Sequence, residues 1–268
     1  MPDDSKARAS TAVDAKIDVT IDATINGQRV SPQQVQQWEL GRARAVLPKL
    51  SRLLGQPAAD DGPMGDLARL RAELLALKEQ CGRERLRQTL GGRMRVSAWS
   101  TKAALALSGS RRKPCMTELT VAGVGARQVA DGIDDLMRND TAANRQANLL
   151  ACPDHYLLQA RGDLLEVIET AGGSPFPAQF FMRFGDESGL QTPRDPAAAG
   201  QSVGTARLAD GTVIGGVRHQ FYDAADGTLA RLRVEFPAAT PSYMIRQHQW
   251  HLACEFSHWL RVAAARAT

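Results

Sequence analysis

Cysteine is sparse in this chain, and the four present (Cys81, Cys115, Cys152 and Cys254) are scattered with no Cys-x-x-Cys pair. That spacing excludes a zinc ribbon and a disulfide framework, and it suits buried or incidental thiols in a reducing compartment. No apolar run approaches the roughly 18 residues of a membrane span. The opening MPDDSKARAS lacks the apolar core of a secretory signal, so a cytoplasmic address is expected. Gly123-Val124-Gly125 has Gln128 where a dinucleotide fingerprint needs glycine, and Gly172-Gly173 and Gly215-Gly216 match no phosphate loop. No nucleotide cofactor is expected. A Gly-x-Ser-x-Gly elbow is missing too.

Lysine is missing after Lys113, and this uncovers an asymmetry. Residues 1–115 hold 20 Lys+Arg against 12 Asp+Glu, or +8, and residues 116–268 hold 13 against 17, or −4. The break marks a boundary near 112–116, where SGSRRKPC supplies turn residues and a basic cluster. Basic residues alternate with acids along the front half and no aromatic-rich binding motif accompanies them, so nucleic acid is not an expected partner. The expected division is a disordered tail at 1–15, a β-hairpin plus helical region at 16–114, and a second domain at 115–268.

In the front part, Ile17, Val19 and Ile21 alternate with polar residues before Asn26-Gly27, the strongest short hairpin signal. A hairpin over about 17–30 follows. Ser31-Pro32-Gln33-Gln34 is a capping box opening a helix that Pro48 should kink, and a loop at Gln56–Gly65 ends it. Asp66 starts a second helix in which Leu67, Leu70, Leu74, Leu77 and Cys81 form a coiled-coil-like seam. Two heptads are too few for a free coiled coil. They predict either a helical hairpin packed on the rest or a homodimer contact. Arg93–Ser108 is ambiguous between strand and helix.

From Cys115 the pattern changes. Met116–Val121 alternates as a strand; Gly123–Asp140 and Thr141–Leu150 read as two helices. Six strands follow: His155–Ala160, Leu164–Thr170, Gln179–Phe184, Gln201–Leu208, Thr212–Tyr222 and Leu229–Phe236. Thr240-Pro241 then starts a long helix reaching Val262, since a hydroxyl can cap free amides and proline suits the first helical position. On it Met244, His248, His251, Glu255, Trp259 and Val262 form one stripe, because residues three, four and seven apart share a face.

Strand, two helices, a six-stranded meander and one long helix: over Cys115–Val262 this α+β order resembles the helix-grip fold of the START and Bet v 1-like superfamily. The resemblance implies a curved antiparallel sheet wrapped on the C-terminal helix, with a cavity that binds a hydrophobic or aromatic small molecule. Alternation along Thr212–Tyr222 puts Val213, Gly215, Val217, His219 and Phe221 on one face. Phe181, Phe221, Met244 and Leu252 are the candidate ligand-binding residues. No membrane span is expected.

His251 and Glu255, one turn apart at the edge of the buried face, can share a metal or a proton; the plainer alternative is that they only hydrogen-bond each other and nearby backbone. In the first hairpin, His155 can share a face with Glu166, or Tyr156 with Glu169, the register being open. His155, His251 and Glu255 with Glu166, or else Glu169, would supply a nitrogen and oxygen set that zinc accepts. The terminal His-x-x-x-Glu is similar to that of the zinc-dependent carbon–carbon hydrolases acting on acylphloroglucinols, the phloretin hydrolase and diacetylphloroglucinol hydrolase type. Only His251 and Glu255 match by position. That resemblance implies a hydrolase or lyase acting on an aromatic or polyketide-like ketone, with His219 or Tyr156 moving a proton. The alternative function is a non-catalytic carrier of a hydrophobic molecule.

Overall fold

The structure, a computed structural model, describes residues 20–56 and 66–267. The expected tail 1–15, Ile17, Val19 and most of the Gln56–Gly65 loop lie outside them. The described residues form an α+β fold whose nine strands make one antiparallel sheet.

Strands β1 (Ile21–Ile25) and β2 (Gln28–Val30) form the expected hairpin. Asn26 and Gly27 have φ of 53° and 75°, the left-handed pair a two-residue hairpin turn requires. β1 also pairs with β3 (Arg112–Ala122), so the charge break near 115 falls inside a strand. The front of the chain therefore contributes two strands to the common sheet. The remaining strands are β4 (His155–Arg161), β5 (Leu164–Glu169), β6 (Ala178–Phe184), β7 (Gly200–Arg207), β8 (Val213–Ala224) and β9 (Gly227–Pro237). Their order across the sheet is β2-β1-β3-β9-β8-β7-β6-β5-β4.

Helix α1 (Pro32–Leu54) opens on the full capping box: Ser31 Oγ accepts from the Gln34 amide at 3.2 Å and Gln34 Oε1 accepts from the Ser31 amide at 2.9 Å. It runs on through Pro48. Helix α2 (Leu67–Cys81) follows Asp66, whose carboxylate caps the Ala68 amide. Helix α3 (Arg83–Ser108) takes in the whole ambiguous stretch, because Leu86, Leu90, Met94 and Ser97 are buried at three- and four-residue spacing, where a strand would alternate. The leucine seam of α2 is consumed within the chain. Leu70, Leu74 and Leu77 pack with Leu50 of α1 and Leu86 of α3 in a core that also holds Tyr156, Leu157 and Ile168. A homodimer through that seam would have no face to use.

The larger core lies on the other side of the sheet. Helices α4 (Ala126–Arg138), α5 (Ala142–Ala151) and α6 (Ser242–Ala267) contribute Ile133, Ala151, Leu252, Phe256 and Leu260 to it, against Leu119, Phe221 and Leu232 of the strands. A tight turn, Ala171–Gly173, leads out of β5 and lies against α6. Gly172 has φ of 55°, and a Cβ there would collide with the Met244 carbonyl. That close approach holds the end of β5 against the terminal helix, which places Glu169 beside His251.

Candidate metal centre

Four buried side chains from three elements converge beneath α6: His155 opens β4, Glu169 closes β5, and His251 and Glu255 sit one turn apart on α6. The closest pairs are His155 Nε2 to His251 Nε2 and His155 Nε2 to Glu255 Oε2, both 3.1 Å. His251 Nε2 lies 3.4 Å from Glu255 Oε2, and Glu169 Oε2 lies 3.7 Å from His155 Nε2 and 3.8 Å from His251 Nε2. Zinc bonds of about 2.0–2.1 Å in a tetrahedron place ligands about 3.3–3.4 Å apart. The observed edges straddle that spacing, so the four donors fit one small dication.

The outer contacts of both imidazoles fit the same reading. His155 Nδ1–H donates to the Asn148 carbonyl at 2.8 Å, an acceptor only, which fixes the tautomer and leaves the Nε2 lone pair at the point of convergence. His251 turns its Nδ1 to Cys152 Sγ at 3.7 Å. Two imidazole nitrogens 3.1 Å apart beside two carboxylates can be bridged by a shared proton or by a cation. The titration tendencies carry the same sign. Burial opposes charging of His251, yet Cys152, Glu255 and Glu169 hold its pKa well above the ordinary value. Burial likewise disfavours the Glu255 anion, and His251 and His155 overcome it and pull that carboxyl far down. Glu169 is pushed up, chiefly by burial.

The two carboxylates also line a cavity of about 520 Å³ between α6, the sheet and α3. Its wall is largely apolar, with Leu165, Phe180, Met182, Leu252, Phe256 and Trp259 prominent. His219 and His248 are the imidazoles on that wall. His219 Nδ1 accepts from the Arg233 amide at 3.3 Å, so its Nε2 carries the proton. Burial pushes its pKa down to about 4. Burial, with His251 beside it, pushes His248 down to about 3, and its Nδ1 has no protein partner. Trp259 Nε1 is likewise unpartnered.

Of the residues singled out from the sequence, the structure brings His155, His251 and Glu255 together and puts His219, Met244 and Leu252 on the cavity wall. Phe221 is fully buried in the core behind that wall. Besides Phe221, which lies off the cavity lining, three placements are corrected. Glu166 points to the opposite side of β5, where Arg87 holds it through two bonds of 3.0 and 2.7 Å; Glu169, in phase with Leu165 and Val167, takes the inner position. Tyr156 faces the helical arm and meets Thr170 Oγ1 at 3.1 Å, because a bulge between His155 and Leu157 turns it away. Phe181 pairs across from Glu166 on the outer side, and its neighbour Phe180 lines the cavity. Phe180→Ala should therefore weaken binding of an apolar ligand by about tenfold or more, as expected when an aromatic contact worth roughly 1.5–3 kcal/mol is lost. Phe181→Ala should leave the affinity unchanged; titration calorimetry reads both.

Sequence reasoning missed His248 as a cavity residue although it stood in the α6 stripe. A further group, Glu39, Cys254 and His258, is already closed by a cation. Arg71 holds Glu39 through two bonds of 2.6 Å and touches His258 Nε2 at 3.2 Å.

No family model matches this chain, and neither does any curated protein. Among solved structures it is similar to an uncharacterized protein from Rhizobium leguminosarum, at 14% identity and a TM-score of 0.30, over 58% of this chain and 99% of the other.

Proposed function

We propose that this chain is a zinc-dependent hydrolase or lyase that cleaves a carbon–carbon bond in a small aromatic or polyketide-like ketone, on a helix-grip scaffold. The observation that carries the reading is the convergence of His155, Glu169, His251 and Glu255, whose two carboxylates line an apolar cavity. Two neutral imidazoles and two carboxylates together carry the charge that balances a dication. A bound zinc that took a fifth ligand beside these four would supply Lewis acidity toward a ketone oxygen.

The chain's own residues do the rest. The apolar wall holds a flat ring and keeps bulk water away. His219, neutral at pH 7 with its proton on Nε2, is a hydrogen-bond donor for a ligand oxygen; it does not supply a strong base. His248 Nδ1 and Trp259 Nε1 offer two more polar points that the protein leaves unfilled. The overall reaction balances simply: water adds to the acyl carbon, the ring–acyl bond breaks, and the ring carbon takes a proton.

The test is incubation of the zinc-loaded protein with an acylphloroglucinol, followed by mass spectrometry. A carboxylic acid and the deacylated ring are expected. Ligand that binds and returns unaltered would support the carrier alternative, which the apolar wall also favours.

A further inference from the structure

The large apolar side chains that remain exposed are concentrated in one place. Among the described residues, six are exposed, and four of them, Val96 (47%), Trp99 (72%), Phe176 (36%) and Tyr243 (48%), line the opening of the cavity. Leu107, at 75%, continues the same face of α3: Val96, Trp99, Ala103 and Leu107 follow at spacings of three, four and four. Exposed apolar patches of this kind mark contact surfaces. Tryptophan and tyrosine, apolar with one polar tip, suit a boundary between water and hydrocarbon.

Four basic residues lie beside residues of this rim, in contact or one turn away along a helix. Lys49 is exposed and donates to the Pro175 carbonyl at 2.9 Å, next to Phe176. Lys113 donates to the Thr240 carbonyl at 2.8 Å, beside Pro241 and near Tyr243. Arg95 is exposed one turn before Trp99, and Arg246 is exposed one turn after Tyr243. The acids lining the cavity, Glu169, Glu235 and Glu255, are all buried. Glu235 is in addition occupied by the Gln191 and Thr192 amides at 2.7 Å each. Asp210 is paired with Lys102. An apolar mouth edged by cations complements an anionic surface with an apolar interior. A second copy of the same face would bring like charges together.

We propose that the cavity mouth docks on an anionic lipid bilayer, with Trp99, Leu107, Phe176 and Tyr243 entering the headgroup layer. Lys49, Arg95, Lys113 and Arg246 would contact the lipid phosphates. The cavity would then open toward the layer in which an apolar ligand concentrates. Docking of this kind goes beyond the chemistry at the metal centre and does not depend on it.

Sedimentation of the full chain with vesicles tests it, using equal parts phosphatidylcholine and phosphatidylglycerol in one arm and phosphatidylcholine alone in the other. Binding to the anionic vesicles is expected to be at least about tenfold tighter and to weaken with added salt, as expected of charges at a lipid surface. Each of Lys49→Ala, Arg95→Ala and Arg246→Ala should weaken it about fivefold, the effect of one basic residue near such a surface. Trp99→Ser with Leu107→Ser should weaken it by at least about tenfold, because both side chains are exposed and their apolar area enters the layer. Vesicle binding that is absent, or that survives these substitutions, overturns the proposal. So does a lipid-free dimer that shields Trp99. Since zinc takes no part in the readout, any of these failures leaves the metal-centre reading standing.

Discussion

Stripping the metal with a chelator should lower the melting temperature by about 10 °C, and added zinc should restore it. A ligand that binds only the folded state stabilises it by about 4 kcal/mol when present at a thousand times its dissociation constant. For a chain of this size each kcal/mol moves the midpoint by roughly 2–4 °C. The apo state is also poorly served, since Glu169 and Glu255 then sit buried with only the two imidazoles to neutralise them. Calorimetric scans with and without chelator read the shift. Identical scans would mean that the four side chains close on one another without an ion.

The second large effect separates two neighbouring acids. Glu169→Gln should weaken zinc binding by more than about 100-fold, above the 10- to 100-fold typical when only a supporting contact is lost. Glu166→Gln should leave zinc bound at full stoichiometry, because that carboxylate is held by Arg87 and Gln179 on the far face of β5. Its effect should instead appear as lost stability, through the broken contact with α3. Burial disfavours the Glu166 anion, but Arg87 and Gln179 hold its pKa below the ordinary value. The stability it contributes is therefore present near neutrality and lost as pH falls through the acidic range. Competitive zinc titration of the two variants gives the comparison.

The contrast between these acids also shows what the amino-acid pattern could and could not disclose. The α6 stripe was legible because helical spacing is fixed: His251 and Glu255 share a face wherever the helix lies. The succession of strands along the chain from β3 to β9 was legible because alternation and turn residues mark each strand. The partner acid was not. In a strand, a slip of one residue exchanges the two faces, and the bulge at Tyr156 leaves no trace in the composition of HYLLQAR. The exchange of Phe181 for Phe180 has the same origin, since β6 takes its phase from β5.

The helical arm was legible only as two alternatives, and the structure has the first of them, helices packed on the rest of the chain. The seam of α2 is real, but a periodic apolar face says only that something must cover it. The cover proves to be α1, α3 and the outer face of β4 and β5 within the same chain. In the same way, MRVSAW reads as a strand taken alone, and it becomes helical because Met94 and Ser97 continue the buried stripe of Leu86 and Leu90. The exposed mouth residues Trp99 and Tyr243 carried no sequence signal, because exposure depends on how the elements pack.

Elemental analysis of the purified protein, after equilibration with zinc and removal of the excess, bears most directly on the whole account. About one zinc per chain should remain, and almost none in a Glu255→Ala chain that still folds. A native chain that retains no divalent metal would contradict the account, whatever its cavity binds.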